Sequence, residues 1–107
     1  MSWYSKTITS SVRDEKSDQI KNLIERLEEA IDGCAIDKEN SKNIVKNVIE
    51  RIEGKGERLL ISPVVKNEIK KILELANSSI LDSPAKFDQA VDEAIYVLED
   101  YLSTLDS

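Results

Sequence analysis

Apolar residues recur at helical spacing in four segments of the chain. In the first, Ile20, Leu23, Ile24, Leu27 and Ile31 share one face; in the second, Ile44, Val45, Val48, Ile49 and Ile52 do so. The third carries Val65, Ile69, Ile72, Leu73 and Ala76, and the fourth Phe87, Val91, Ala94, Ile95, Leu98, Leu102 and Leu105. Helix punctuation agrees with these stripes. Ser11 and Asp14 have the spacing of a capping box, Asp37 is a candidate N-cap, and Ser62-Pro63 and Ser83-Pro84 each place a capping hydroxyl before a first-turn proline. Gly33 and Gly54 stand where left-handed helix stops are expected. The spacing predicts helices over 12–32, 38–53, 63–77 and 84–105, after an arm over 1–11. That arm is open: Trp3 to Val12 is rich in β-branched residues, yet Tyr4, Ile8 and Val12 also fit helical spacing.

Short connections favour antiparallel neighbours, so the expected fold is all-α, a single-domain antiparallel four-helix bundle with an N-terminal arm. Leu59, Leu60 and Ile61, in the longest connection, are expected to dock on the core. A repeat runs through the helices. Residues 21–28 read KNLIERLE and 46–53 read KNVIERIE, and the triplets Leu23-Ile24-Glu25, Val48-Ile49-Glu50, Ile72-Leu73-Glu74 and Val97-Leu98-Glu99 start 25, 24 and 25 residues apart. Such matches arise either from amphipathic helices reusing Leu, Ile, Glu and Lys, or from a duplicated helical hairpin. Two hairpins are too few for a solenoid, and a closed bundle fits better.

Composition narrows the function. The chain has 107 residues, 40% of them apolar, which is enough for one domain with a core. With no histidine, it lacks the commonest general base and the commonest metal ligand. Its one cysteine excludes an internal disulfide framework and a multi-cysteine zinc site. Met1 to Val12 is too polar for a secretory signal, and no apolar run reaches the roughly 20 residues of a membrane span, so a cytoplasmic protein is expected. The net charge of −6 comes entirely from residues 79–107, where seven carboxylates face Lys86 alone. Such an end attracts basic partners and repels phosphate, which argues against direct nucleic-acid binding.

Candidate chemistry is sparse. Gly54-Lys55-Gly56 lacks the spacer, the following Ser/Thr and the preceding strand of a phosphate-binding loop, and reads as a helix stop. Cys34 follows a helix C-terminus, whose partial negative charge raises a thiol pKa, so it reads as a partly buried spacer. Glu28-Glu29-Ala30-Ile31-Asp32 and Glu50-Arg51-Ile52-Glu53 resemble the two acidic motifs of the all-α nucleoside triphosphate pyrophosphatases. The resemblance implies a magnesium-dependent hydrolase with helix-borne carboxylate ligands. Phase opposes it: Glu29 lies opposite its helix's apolar stripe, and Glu50 and Glu53 lie well away from theirs. Pairs such as Lys21–Glu25 and Lys46–Glu50 fit solvated faces instead. No catalytic, cofactor or metal residue is therefore assigned.

The fourth helix carries the sharper signal. Tyr96 lies about 150° from the centre of the apolar stripe, with Asp92, Glu93, Glu99 and Asp100 around it. An outward tyrosine among acids has the composition of a contact surface, although a solvated face with one tyrosine has the same pattern. The expected function is a non-catalytic, acidic protein-binding module. Its specific form is an inhibitor or immunity-type protein that covers a basic surface, for instance on a nuclease toxin. The alternative is a self-assembling helical adaptor or chaperone, closed through Trp3, Tyr4 and the wide apolar face of the last helix.

Overall fold

Four helices form where the apolar spacing puts them: α1 over Ser2–Gly33, α2 over Lys38–Ile52, α3 over Pro63–Ser79 and α4 over Pro84–Leu105. The computed structural model describes the backbone of residues 2–55 and 59–105, and the side chains of 15–55 and 59–105. Each helix packs on two neighbours in a ring, α1 on α2, α2 on α3, α3 on α4 and α4 on α1. The fold is an all-α antiparallel four-helix bundle.

The segment expected as an arm is helical, since α1 begins at Ser2 rather than near residue 12. At about 1.5 Å per residue a 32-residue helix is about 48 Å long, against about 33 Å for the 22 residues of α4. The molecule is accordingly elongated, 58 Å by 22 Å by 22 Å. The side chains of Trp3, Tyr4, Ser11 and Asp14 lie outside the described residues, and so do Gly56, Glu57 and Arg58.

Helix ends follow the sequence in part. Asp37 caps α2 by accepting the Asn40 N–H at 3.1 Å, and Ser83 Oγ accepts the Lys86 N–H at 3.3 Å. Gly54 adopts φ +93° and stops α2 in a Schellman arrangement, with Lys55 N–H to the Glu50 carbonyl and Gly54 N–H to the Arg51 carbonyl. Three expectations fail, the first being the capping box at Ser11 and Asp14, since both positions lie inside α1 and no helix starts there. Ser62 stands at the N-cap of α3 but its hydroxyl makes no capping bond. Gly33 has no positive φ and is the last residue of α1; a Cβ there would meet Ser41 Oγ at an ordinary 3.5 Å. The turn after it stays right-handed, with Ile36 and Asp37 N–H both donating to the Gly33 carbonyl at 3.0 and 2.8 Å.

The core runs the length of the ring and includes Leu59 and Ile61 from the middle connection. That connection is held at two points. Leu60 N–H donates to Gln19 Oε1 on α1 at 2.8 Å, and Ser62 N–H donates to the Tyr101 hydroxyl on α4 at 3.3 Å. Lys16 Nζ sits 5.3 Å from the Tyr101 ring centroid, so one tyrosine ties α1, α4 and the connection together. Lys70 Nζ lies 3.1 Å from Glu53 Oε2 and links α3 to α2.

The two hairpins repeat each other, but not in the register of the sequence triplets. Those triplets pair α1 with α3 at a shift of 49, matching buried Leu23 with half-buried Ile72. In space the shift is 46. Gly33 corresponds to Ser79 and Asp37 to Ser83, and Asp82 and Ser83 N–H donate to the Ser79 carbonyl as Ile36 and Asp37 do to Gly33. At this shift Leu23 matches Ile69, Leu27 matches Leu73, Ala30 matches Ala76, Cys34 matches Ile80 and Val45 matches Val91, every one buried. The turns set the register, whereas the triplets follow composition.

Candidate functional site

Pro84 and the Ser83 cap start α4, and its apolar spacing then fixes which side faces inward. Phe87, Ala90, Val91, Ala94, Ile95 and Leu98 are buried. Asp92, Glu93, Tyr96, Glu99 and Asp100 are all exposed on the opposite side, with Tyr96 71% accessible. The four carboxylates and the tyrosine therefore share one outward face, as their spacing predicts. Among the described residues none of the four carboxylates is in an ion pair. Their charge is free to act on whatever approaches.

The apolar flanks of α4 are used internally. Ala90 is buried, and Val97, Tyr101, Leu102 and Leu105 pack against the core. Self-assembly through that wide apolar face therefore has little surface left to it, and its other element, Trp3 and Tyr4, lies outside the described side chains.

The carboxylates of the pyrophosphatase resemblance do not converge. Glu28, Glu29 and Asp32 are exposed on α1, and Glu29 pairs with Arg26 at 2.9 Å. Glu53 pairs with Lys70 instead. Among the described residues no three His, Cys, Asp or Glu side chains are grouped to hold a metal ion.

Cys34 is buried in the α1–α2 turn. Burial pushes its thiol pKa up, the Asp88 carboxylate adds to this, and Lys38 offsets part of it. Asp88 brings one carboxylate oxygen, Oδ1, out of solvent without a hydrogen-bond partner.

One surface escaped the sequence reading. A shallow groove runs between α3 and α4, lined at one end by Val64, Glu68, Lys71, Ile72 and Glu93, and at the other by Leu75, Ser79, Lys86, Gln89 and Glu93. Glu93 is common to both ends, so the groove borders the acidic face. Val64 and Leu75 are 74% and 63% exposed, and Leu81 in the α3–α4 turn is 74% exposed. The signal in the sequence is a second apolar pair on α3, eleven residues or about three turns apart, outside the core stripe.

Comparison with known proteins adds no relative. No family model, no curated protein and no solved structure matches the chain. Among the described residues no helix is long and apolar enough to cross a membrane.

Proposed function

We propose that this chain is a non-catalytic protein-binding module of the cytoplasm, an inhibitor or immunity-type protein whose α4 face occludes a basic surface. The observation that carries the reading is the exposed Tyr96 at the centre of Asp92, Glu93, Glu99 and Asp100, none of them in an ion pair among the described residues. Carboxylates meet Lys or Arg in charge-assisted hydrogen bonds, and the same Lys or Arg on the partner otherwise bind phosphate. Tyr96 supplies rigid contact area that is desolvated on binding. The fixed charge also speeds encounter, because fields of this kind steer a partner over about a Debye length.

The test is a double charge reversal, Asp92→Lys with Asp100→Lys, used as bait beside the unaltered protein. A basic protein held by the unaltered bait is purified, and its own activity is titrated with each form. The reading expects stoichiometric inhibition by the unaltered protein, with slower association and a shallower salt dependence for the variant. Equal rates and equal salt slopes for the two would remove the α4 face from the interaction.

A further inference from the structure

The ring closes through two seams between the hairpins, α1 on α4 and α2 on α3, and the repeat makes each the control for the other. At the shift of 46, α3 takes the place of α1, and α4 the place of α2. Lys70 and Asn77 carry contacts from α3 to α2. Lys70 Nζ lies 3.1 Å from Glu53 Oε2, and Asn77 Nδ2 donates to the Lys42 carbonyl at 3.3 Å. Lys66, four residues before Lys70, stands on the same flank, and all three side chains are half-buried. Their counterparts on α1, on the flank toward α4, are Ile20, Ile24 and Ile31. Ile20 is fully buried, and Ile24 and Ile31 pack against the core. The helix opposite follows suit, since Ile95 of α4 is buried where Ile49 of α2 is half-buried. Isoleucines line one seam; lysines and an asparagine line the other.

The two closures differ in strength. Burying isoleucine stabilises in proportion to the apolar area removed from water. The Lys70–Glu53 pair is 35% exposed on each side, and ion pairs so placed contribute little. Asn77 Oδ1 is out of solvent with no hydrogen-bond partner, which offsets part of what its Nδ2 bond contributes. Asp88, which holds on α4 the place of Lys42 on α2, has one carboxylate oxygen in the same condition. The orphaned oxygens therefore cancel between the seams, and the isoleucines decide.

We infer that the bundle is built to open along the α2–α3 seam, the hairpins parting there while the α1–α4 seam stays closed as the hinge. The connection from α2 to α3 sets where parting begins. It crosses the end of the bundle away from the two hairpin turns, and is tied to α1 through Gln19 and to α4 through Tyr101. The gap widens from the turn end, at Lys42 and Asn77, and bares the inner faces of α2 and α3. Openings of this kind lie below global unfolding in free energy and begin where apolar contacts are fewest. The outward face of α4 rides on the hinge and is presented in both states.

Cys34, buried in the core at the turn end, reads the opening without an added probe. Its labelling by a water-soluble disulfide reagent is followed in the native protein at urea concentrations below the unfolding transition. Opening along one seam exposes less surface than unfolding, so the labelling rate is expected to depend on urea less steeply than global unfolding does. Three variants locate the seam. Lys70→Ile with Asn77→Ile gives α3 the residues of α1 and is expected to slow labelling at least about fivefold. Glu53→Gln removes an ion pair that only the closed form has, and is expected to speed labelling about twofold. Ile24→Val trims the opposite seam, which is intact in closed and open forms alike. It is expected to lower the urea midpoint and leave labelling below the transition unchanged. A labelling rate with the full urea dependence of global unfolding would overturn the inference. So would a rate that Ile24→Val speeds and the double isoleucine variant does not slow, which puts the opening at α1–α4. A rate that none of the variants moves confines the opening to the α1–α2 turn and refutes the seam as well.

Discussion

The two hairpins of this bundle share a backbone plan and differ in how they fill it. Ile36, Asp37 and Ser41 N–H in the α1–α2 turn correspond to Asp82, Ser83 and Phe87 N–H in the α3–α4 turn, bonded in the same pattern. Inside, volume is placed in opposite order. At three paired positions Ser41, Ile44 and Val48 of α2 are small, large and large where Phe87, Ala90 and Ala94 of α4 are large, small and small, whereas Val45 and Val91 are alike. Outside, the first hairpin is charged with both signs, whereas in the second α3 carries Lys66, Lys70 and Lys71 beside the exposed Val64 and Leu75, and α4 is acidic. What the turns fix is the register; what the side chains fix is separately the core and the surface.

The sharpest way to break the equivalence is to exchange the paired residues' size. Phe87 is fully buried, so Phe87→Ala deletes the largest core side chain and is expected to cost about 3–5 kcal/mol. Its counterpart Ser41 is equally buried but donates its hydroxyl to the Ala30 carbonyl at 2.7 Å, clamping α2 onto α1. Ser41→Ala removes one hydrogen bond to a carbonyl near a helix end and is expected to cost about 1–2 kcal/mol. Chemical denaturation of both variants checks the ratio. Equal costs would mean that the two positions are energetically as well as geometrically equivalent.

Smaller effects belong to the caps. Asp37→Ala and Ser83→Ala each remove a side chain that accepts a backbone N–H at a matching turn, and each is expected to lower stability by about 1 kcal/mol. Ser62→Ala is the contrast, because the Ser62 hydroxyl makes no cap. Its backbone N–H to Tyr101 survives the change, and a shift within about 0.5 kcal/mol is expected. A loss at Ser62 as large as at Ser83 would show that serine-proline acts the same way at both helix starts.

That contrast also shows what could be read in advance. Ser62-Pro63 and Ser83-Pro84 are the same dipeptide, and only a tertiary contact distinguishes them, since the Tyr101 hydroxyl reaches the Ser62 backbone from α4. Gly33 misled for a related reason. A glycine after an apolar stripe reads as a left-handed stop, yet Ser79 does the same work in the matching turn without one. The helices, the inward faces and the exposure of Tyr96 follow from period alone, because burial in a bundle is a matter of angle around each helix. The groove does not. Val64 and Leu75 stand next to Val65 and Ala76, and in a run of apolar residues the angle of each neighbour is blurred until the packed helix shows which one turns inward. The register of 46 was hidden too, because Leu, Ile and Glu recur often enough to make a false match at 49.

The faintest difference between the hairpins lies at Cys34 and Ile80, which fill the same place in the two turns, both buried. Only the first can ionise. Burial raises the Cys34 thiol pKa, with Asp88 adding to it, so at alkaline pH the folded protein holds a proton that the unfolded chain has released. Stability from this source is fully present below the ordinary thiol pKa of about 8.5 and is lost as pH climbs through the raised folded value. Denaturation midpoints at successive pH values above 8 should therefore fall more steeply for the unaltered protein than for Cys34→Val, which keeps a small apolar side chain and has nothing to titrate. Labelling of the native thiol at pH 8 should also lag well behind labelling in denaturant. Parallel pH profiles for the two proteins would place Cys34 in a solvated setting and break its match with Ile80.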